Sequence, residues 1–222
     1  LFRSDTSGRV AIAWDTYEKG DYDVWMREYS GSGAAAAAMA VADTADYEAR
    51  PSLTFDRDGG LWIAYELGSP SWGKDSGPYD NGGNPLYKGR QIGLIVRKDG
   101  GWFEPGQSHV PALPHPAARR GVRNQRVAPV EAGGESPAQA RDAELRRDLA
   151  YNNLARITCD RAGNIWLLCR SRQNDFRLPL VGSLWLSWAV VYDGASWTGP
   201  ILIPNSDNLM YNTPGAAPLP DG

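Results

Sequence analysis

A chain of 222 residues that is 42% hydrophobic and 22% charged has the make-up of a globular protein with a substantial core, not of a disordered segment. Its net charge of −3 gives no electrostatic attraction for nucleic acid or an anionic membrane surface, and no apolar run approaches the roughly 20 residues that a membrane-spanning helix requires. Nine Trp, 25 Gly and 16 Pro against four Phe point instead to an all-β protein of short strands and tight turns, with large aromatics packed between sheets.

The first element in the chain is a turn. Asp5-Thr6-Ser7-Gly8-Arg9-Val10-Ala11 is a worn copy of a segment that returns as Asp56-Arg57-Asp58-Gly59-Gly60-Leu61-Trp62 and as Asp160-Arg161-Ala162-Gly163-Asn164-Ile165-Trp166. In Asp-x-x-Gly the Asp suits the first position of a type I turn, its carboxylate accepting from the N–H two residues on, and Gly supplies the left-handed fourth residue. Each copy therefore predicts a hairpin loop. The strands leading out, Val10–Trp14, Leu61–Tyr65 and Ile165–Cys169, are apolar on both faces. A strand of an open antiparallel sheet alternates, whereas one sandwiched between neighbouring sheets does not. The strands leading in read Ala49–Phe55 and Asn153–Cys159, and the alanine run 34–38 reads as a loop feeding an edge strand.

A second hairpin follows in each full unit. Ile92–Lys98 precedes Asp99-Gly100 and Trp102, and Trp185–Tyr192 precedes Asp193-Gly194 and Trp197. Asp-Gly between apolar strands is a strong hairpin signal. Two hairpins per unit make four antiparallel strands, the sheet of one β-propeller blade. The predicted fold is thus an all-β propeller with about three blades present, an incomplete ring: blades over roughly 1–43, 49–106 and 153–204, and the start of another over 213–222. The interval between Asp56 and Asp160 is about twice that between Asp5 and Asp56, which places an inter-blade insertion over 107–148. Within it Ser136, Pro137 and Gln139 open a short polar helix over 137–149. The chain begins at Leu1 on a worn repeat and stops at Asp221-Gly222, so the expectation is a piece of a longer protein, with the remaining blades supplied by that chain or by a partner protomer.

The two cysteines, Cys159 and Cys169, lie along one hairpin at roughly 13 Å, beyond the about 7 Å that a disulfide spans, and are expected as free thiols. His109 and His115 stand without nearby Cys or carboxylate, so no metal site is predicted, and nothing calls for a cofactor. The arginines at 119, 120, 123 and 126 belong to the insertion and are read as solvated charge, not as a nucleic-acid surface.

Function is expected on the rim opposite the tight turns, because long loops on a rigid scaffold carry binding. There a pattern recurs: Tyr47-Glu48-Ala49-Arg50, Tyr151-Asn152-Asn153 with Arg156, and Tyr211-Asn212-Thr213, each where the chain runs into an innermost strand. Either the tyrosines pack between blades and the polar residues cap strand ends, or hydroxyl, amide and guanidinium groups ring a channel mouth that suits a sugar or another polar ligand. The loop from Leu67 to Arg90 adds Trp72, Tyr79, Asp80 and Tyr87, aromatics able to stack on a pyranose face or to pin the loop. Arg170, Arg172, Asp175 and Arg177 occupy the matching loop and form either a solvated cluster or a bidentate carboxylate site.

The units Gly8–Tyr29, Leu53–Glu66 and Ile157–Arg170 resemble the blades of sialidase-like and TolB-like propellers of secreted or periplasmic bacterial proteins. Sialidases carry a tyrosine nucleophile, a carboxylic acid and an arginine triad. By that resemblance Tyr47 or Tyr151 is the nucleophile, Glu48 its partner base, and Arg50, Arg156 and Arg170 the carboxylate clamp. The sialidase Asp-box reads Ser-x-Asp-x-Gly-x-Thr-Trp, whereas the turn here has one more residue between Asp and Gly and joins the first and second strands, which fits sensor-type and TolB-like blades better. The expectation is a ligand-recognition module of a larger exported protein, binding carbohydrate or another polar ligand through Arg50, Asn152, Asn153, Arg156, Arg170, Arg172, Trp72, Tyr79, Tyr211 and Asn212. The alternatives are a sialidase-like glycoside hydrolase or polysaccharide lyase, and a protein–protein interaction platform.

Overall fold

The computed structural model describes residues 2–68, 90–105, 152–174, 183–207 and 214–217. The insertion 107–148, the helix expected over 137–149, and Trp72, Tyr79, Tyr87, Tyr151, Tyr211 and Asn212 lie outside them. The described residues are all-β, with no helix and therefore none long and apolar enough to cross a membrane. They form three four-stranded antiparallel sheets, each running up and down in chain order. Sheet 1 comprises β1 (Phe2–Ser4), β2 (Val10–Thr16), β3 (Asp23–Tyr29) and β4 (Met39–Ala42); sheet 2 comprises β5 (Tyr47–Phe55), β6 (Leu61–Gly68), β7 (Gln91–Lys98) and β8 (Gly101–Phe103). Sheet 3 comprises β9 (Asn152–Cys159), β10 (Ile165–Asn174), β11 (Ser183–Tyr192) and β12 (Trp197–Leu202).

The Asp-x-x-Gly segments make the first hairpin of every sheet. Gly8, Gly59 and Gly163 have φ of 82°, 79° and 92°, a region that a side chain would strain. The Asp does more than start the turn. Asp56 Oδ1 accepts from the N–H of Asp58 at 3.0 Å and of Gly60 at 2.7 Å, and its Oδ2 accepts from the indole Nε1–H of Trp62 at 2.8 Å. Asp160 holds Asn164 N–H at 2.8 Å and Trp166 Nε1–H at 2.9 Å in the same way. Where Ala11 replaces the Trp, Arg9 Nε donates to Asp5 at 3.0 Å and fills the vacated bond. Along this rim the turns also touch one another: Arg9 donates to Gly59 O, and a Cβ on Gly163 would lie 2.9 Å from the side chain of Arg57.

Sheet 2 is the middle layer. Leu61 and Ile63 of β6 face sheet 1 and pack with Ala11, Ala13, Met26, Leu53 and Phe55, while Trp62 and Ala64 face sheet 3 and pack with Ile157, Ile165, Leu167 and Val190. Both faces of β6 are therefore apolar for a reason. The equivalent residues Val10 and Ile12 of β2, and Trp166 and Leu168 of β10, are only half-buried on the outward faces of the flanking sheets. One interface is thus used twice in the same sense. Cys159 and Cys169 are both free, and burial pushes the Cys169 thiol up to about 12.

Candidate ligand-binding rim

At the rim opposite the turns, the first strands of sheets 2 and 3 depart from regular pairing. The register of β5 on β6 slips between Ala49 and Ser52, and that of β10 on β9 between Leu168 and Arg170. At the slips Arg50 and Leu154 have φ of 55° and 53°, uncommon for residues with side chains and costing about 1 kcal/mol or more each. What holds them there is a carboxylate of the preceding sheet. Arg50 N–H donates to Asp15 Oδ2 at 3.2 Å, and Leu154 N–H donates to Glu66 Oε1 at 2.9 Å. Asp15 and Glu66 occupy the same place, the sixth residue of β2 and of β6. In β10 that place is taken by Arg170, and the residue corresponding to Arg50 and Leu154 is Pro214, which has no N–H to donate. Acceptor and donor change together.

A second pair of bonds joins the sheets beside the first: Glu48 N–H donates to Tyr22 O at 2.8 Å, and Asn152 N–H to Arg90 O at 2.9 Å. The Tyr47 ring lies between the residues so placed. Its centroid is 5.5 Å from that of Tyr22, edge-on, and 3.2 Å from the Arg90 guanidinium carbon. Tyr47 is 6% exposed, and burial pushes its hydroxyl up to about 12 against the opposing charge of Arg90. Glu48 does not share that environment, because successive side chains of a strand point to opposite sides. Its Oε1 accepts from the Thr44 hydroxyl, and burial, ahead of any neighbouring charge, raises its pKa.

Two carboxylates act on Tyr47, Glu66 and, less strongly, Asp15; Glu66, 1% exposed, accepts from Arg50 Nη1 at 3.2 Å as well as from Leu154. Arg50 is itself 42% exposed, so the pair has a buried anion and an accessible cation. A pair of this kind adds little stability on its own but fixes where the guanidinium lies. Arg156, on β9, is half-buried: burial lowers its pKa, Glu66 opposes that, and the like charges of Arg50 and Arg3 add to it. Arg3, Arg50 and Arg156 come from β1, β5 and β9, the first strands of the three sheets; the charges of Arg3 and Arg50 act on Arg156, and Glu66 acts on Arg156 and bonds Arg50.

Of the residues singled out by sequence, Arg50 and Arg156 are brought together. Asn152 and Asn153 are buried at 9% and 0%, and Arg170 at 1% lies with its guanidinium carbon 4.5 Å from the Trp185 ring centroid and its Nε 3.4 Å from Asn153 Oδ1. Arg172 is half-buried on β10. Sequence reasoning missed Asp15, Glu66 and Arg90. The signal was available: an acid at the sixth position of two otherwise apolar, aligned strands. No group of three or more His, Cys, Asp or Glu able to hold a metal occurs among the described residues.

No protein-family model matches the chain, and no curated protein matches it. Solved structures do. An ulvan lyase of a polysaccharide lyase family aligns over 92% of this chain and 43% of its own with a TM-score of 0.51 at 12% identity, and its form bound to GlcA(1-4)Rha3S gives 0.50. A Hadza microbial sialidase aligns over 88% of this chain and 36% of its own with a TM-score of 0.48 at 13% identity. A fucose lectin from Kordia zhangzhouensis gives 0.37 at 11% identity. The chain spans less than half the length of the lyase and of the sialidase, and the likeness is one of fold.

Proposed function

We propose that the three sheets are consecutive blades of a β-propeller in a larger exported protein, and that the loop-bearing rim recognises carbohydrate or another polar ligand. The observation that carries this reading is the proximity of Arg50, Arg156 and Arg3 on the first strands of adjacent sheets, with Arg50 oriented by the buried Glu66. Guanidinium groups fixed this way pair with carboxylate or hydroxyl oxygens in defined directions. The repeated, same-sense packing of sheet 1 on sheet 2 and of sheet 2 on sheet 3 supports the propeller, since a heterologous contact repeated with rotation generates a ring. The carbohydrate class is supported by the ulvan lyase of similar fold, which binds GlcA(1-4)Rha3S.

Recognition rather than turnover is the reading proposed for this chain. Tyr47, the nucleophile that the sialidase resemblance nominates, is buried with its hydroxyl pushed up to about 12, the opposite of activation. The test is binding of the chain to a panel of neutral and acidic oligosaccharides, with Arg50→Ala and Arg156→Ala alongside. Binding of at least one class, weakened about tenfold or more by either substitution, supports the reading; silence across the panel sinks it. Turnover of a sialoside or a uronide that vanishes in Tyr47→Phe would replace it by the hydrolase or lyase alternative.

A further inference from the structure

We propose that Asp23 and Glu48 form a site for a divalent cation of the calcium type, set between sheet 1 and sheet 2 away from the arginine cluster. Both side chains are 1% exposed. Neither oxygen of Asp23 has a hydrogen-bond partner, nor does Glu48 Oε2, whereas Glu48 Oε1 takes the Thr44 hydroxyl. Three buried carboxylate oxygens are thereby left unsatisfied, at a desolvation penalty that proteins rarely leave uncompensated.

The two side chains lie on the same side of the interface. Glu48 N–H is bonded to Tyr22 O, and the Tyr22 and Tyr47 rings meet on one side of that bond, 5.5 Å between centroids. Because successive side chains of a strand alternate, Asp23 and Glu48 turn together to the other side. The surroundings are anionic: Asp21 and Asp43 act on Asp23, and Asp46 acts on Glu48. The cation that answers them is Lys19, which is 54% exposed, bonded to Asp43 at 3.0 Å and 3.9 Å from Asp23 Oδ2. Trp25 Nε1 adjoins Asp23 and works to lower the pKa of its carboxyl, but burial foremost raises the pKa of both carboxyls.

The chain contains its own control. At the interface between sheets 2 and 3 the residues equivalent to Asp23 and Glu48 are Gln91 and Asn152, and the same inter-sheet bond forms there, Asn152 N–H to Arg90 O at 2.9 Å. The inter-sheet backbone bond therefore forms with neutral amides at these positions, where one buried oxygen, Asn152 Oδ1, also lacks a hydrogen-bond partner; the contact itself does not call for two acids. Oxygen-only ligands are those of a hard cation. With two carboxylates from the protein and the remaining positions left to water, affinity falls in the range of roughly 0.1–1 mM known for weak extracellular calcium sites.

Thermal unfolding of the chain in 10 mM calcium chloride against metal-free buffer tests this. A rise of about 5 °C is expected for the parent chain and less than about 1 °C for Asp23→Asn/Glu48→Gln, which copies the amide interface. Terbium luminescence excited through tryptophan reads the site directly: Trp25 adjoins Asp23, so a signal displaced by millimolar calcium is expected in the parent and lost in the double variant. Should the double variant fail to fold, Asp23→Asn alone must lower calcium affinity at least tenfold. Lys19→Ala should raise it a few-fold. No thermal shift and no terbium signal in the parent, an equal response in the amide variant, or a response to magnesium chloride as large as that to calcium would each overturn the assignment.

Discussion

The two rims of this molecule are built from the same repeats but treat them differently. At the turn rim Asp5, Asp56 and Asp160 stand at equivalent positions and perform the same task, each accepting two or more bonds from its own loop. At the opposite rim, equivalent positions have diverged: Asp15, Glu66 and Arg170; Tyr22, Arg90 and Trp185; Asp23, Gln91 and Leu186; Arg50, Leu154 and Pro214. Side chains that only close a turn can be copied. A rim whose residues need not close turns is free to differ from sheet to sheet, which is the pattern expected if this rim is the one that meets a ligand.

The largest effect should come from the layer that both rims share. Ile63→Ala, at a fully buried residue of the middle sheet, is expected to cost roughly 2–5 kcal/mol in urea unfolding and to raise hydrogen exchange at both rims together. Ile12→Ala, at the equivalent but half-buried place on sheet 1, should cost under about 2 kcal/mol. Equal costs would mean that the outward face of sheet 1 is covered as fully as the middle sheet.

Next, Asp56→Ala removes the acceptor for Asp58, Gly60 and Trp62 at once and should cost about 2–3 kcal/mol while leaving oligosaccharide binding unchanged. Glu66→Gln keeps an oxygen for Leu154 N–H but removes the charge that orients Arg50. It should cost only about 1–2 kcal/mol, yet weaken oligosaccharide binding at least as much as Arg50→Ala does. If Asp56→Ala abolishes binding and Glu66→Gln does not, the rims have been assigned the wrong way round.

The smallest effect is one of pH. For Asp5 and Asp160, burial works to raise the pKa, but the hydrogen bonds from Ser7, Arg9, Trp166 and Asn164 outweigh it and hold both carboxyls below their ordinary range. A depressed folded pKa contributes stability above the unfolded value of about 3.9, and that contribution is lost as pH falls through the lower folded value. The urea midpoint should therefore decline from about pH 4 downwards, and less steeply in Asp160→Asn, with no corresponding change above pH 5.

The turn rim was legible in the sequence because its chemistry is local: the bonds made by Asp56 and Asp160 all close within six residues. The alternation-free strands around Trp62 likewise announced a sheet covered on both faces. The opposite rim was read only in part. Arg50 and Arg156 could be nominated from the recurring tyrosine segments, but the carboxylate that bonds Arg50 meets Leu154 across 88 positions of chain, and no local pattern reports that. Nor does composition reveal the slip that seats Leu154 with φ of 53°; an unbroken ladder would set Cys169 opposite Ala155, where the pairing is instead interrupted. For Tyr47 the sequence leaves packing between sheets and a functional hydroxyl both open, and the structure buries its ring between Tyr22 and Arg90.

The most direct measurement is isothermal titration of the best-binding oligosaccharide into three chains: the parent, Arg50→Ala/Arg156→Ala, and Arg57→Ala on the turn rim. The expected result is a loss of affinity of about a hundredfold or more in the double variant and none in Arg57→Ala. Undiminished binding by the double variant, or a comparable loss on changing Arg57, would contradict placement of the ligand at the arginine-bearing rim.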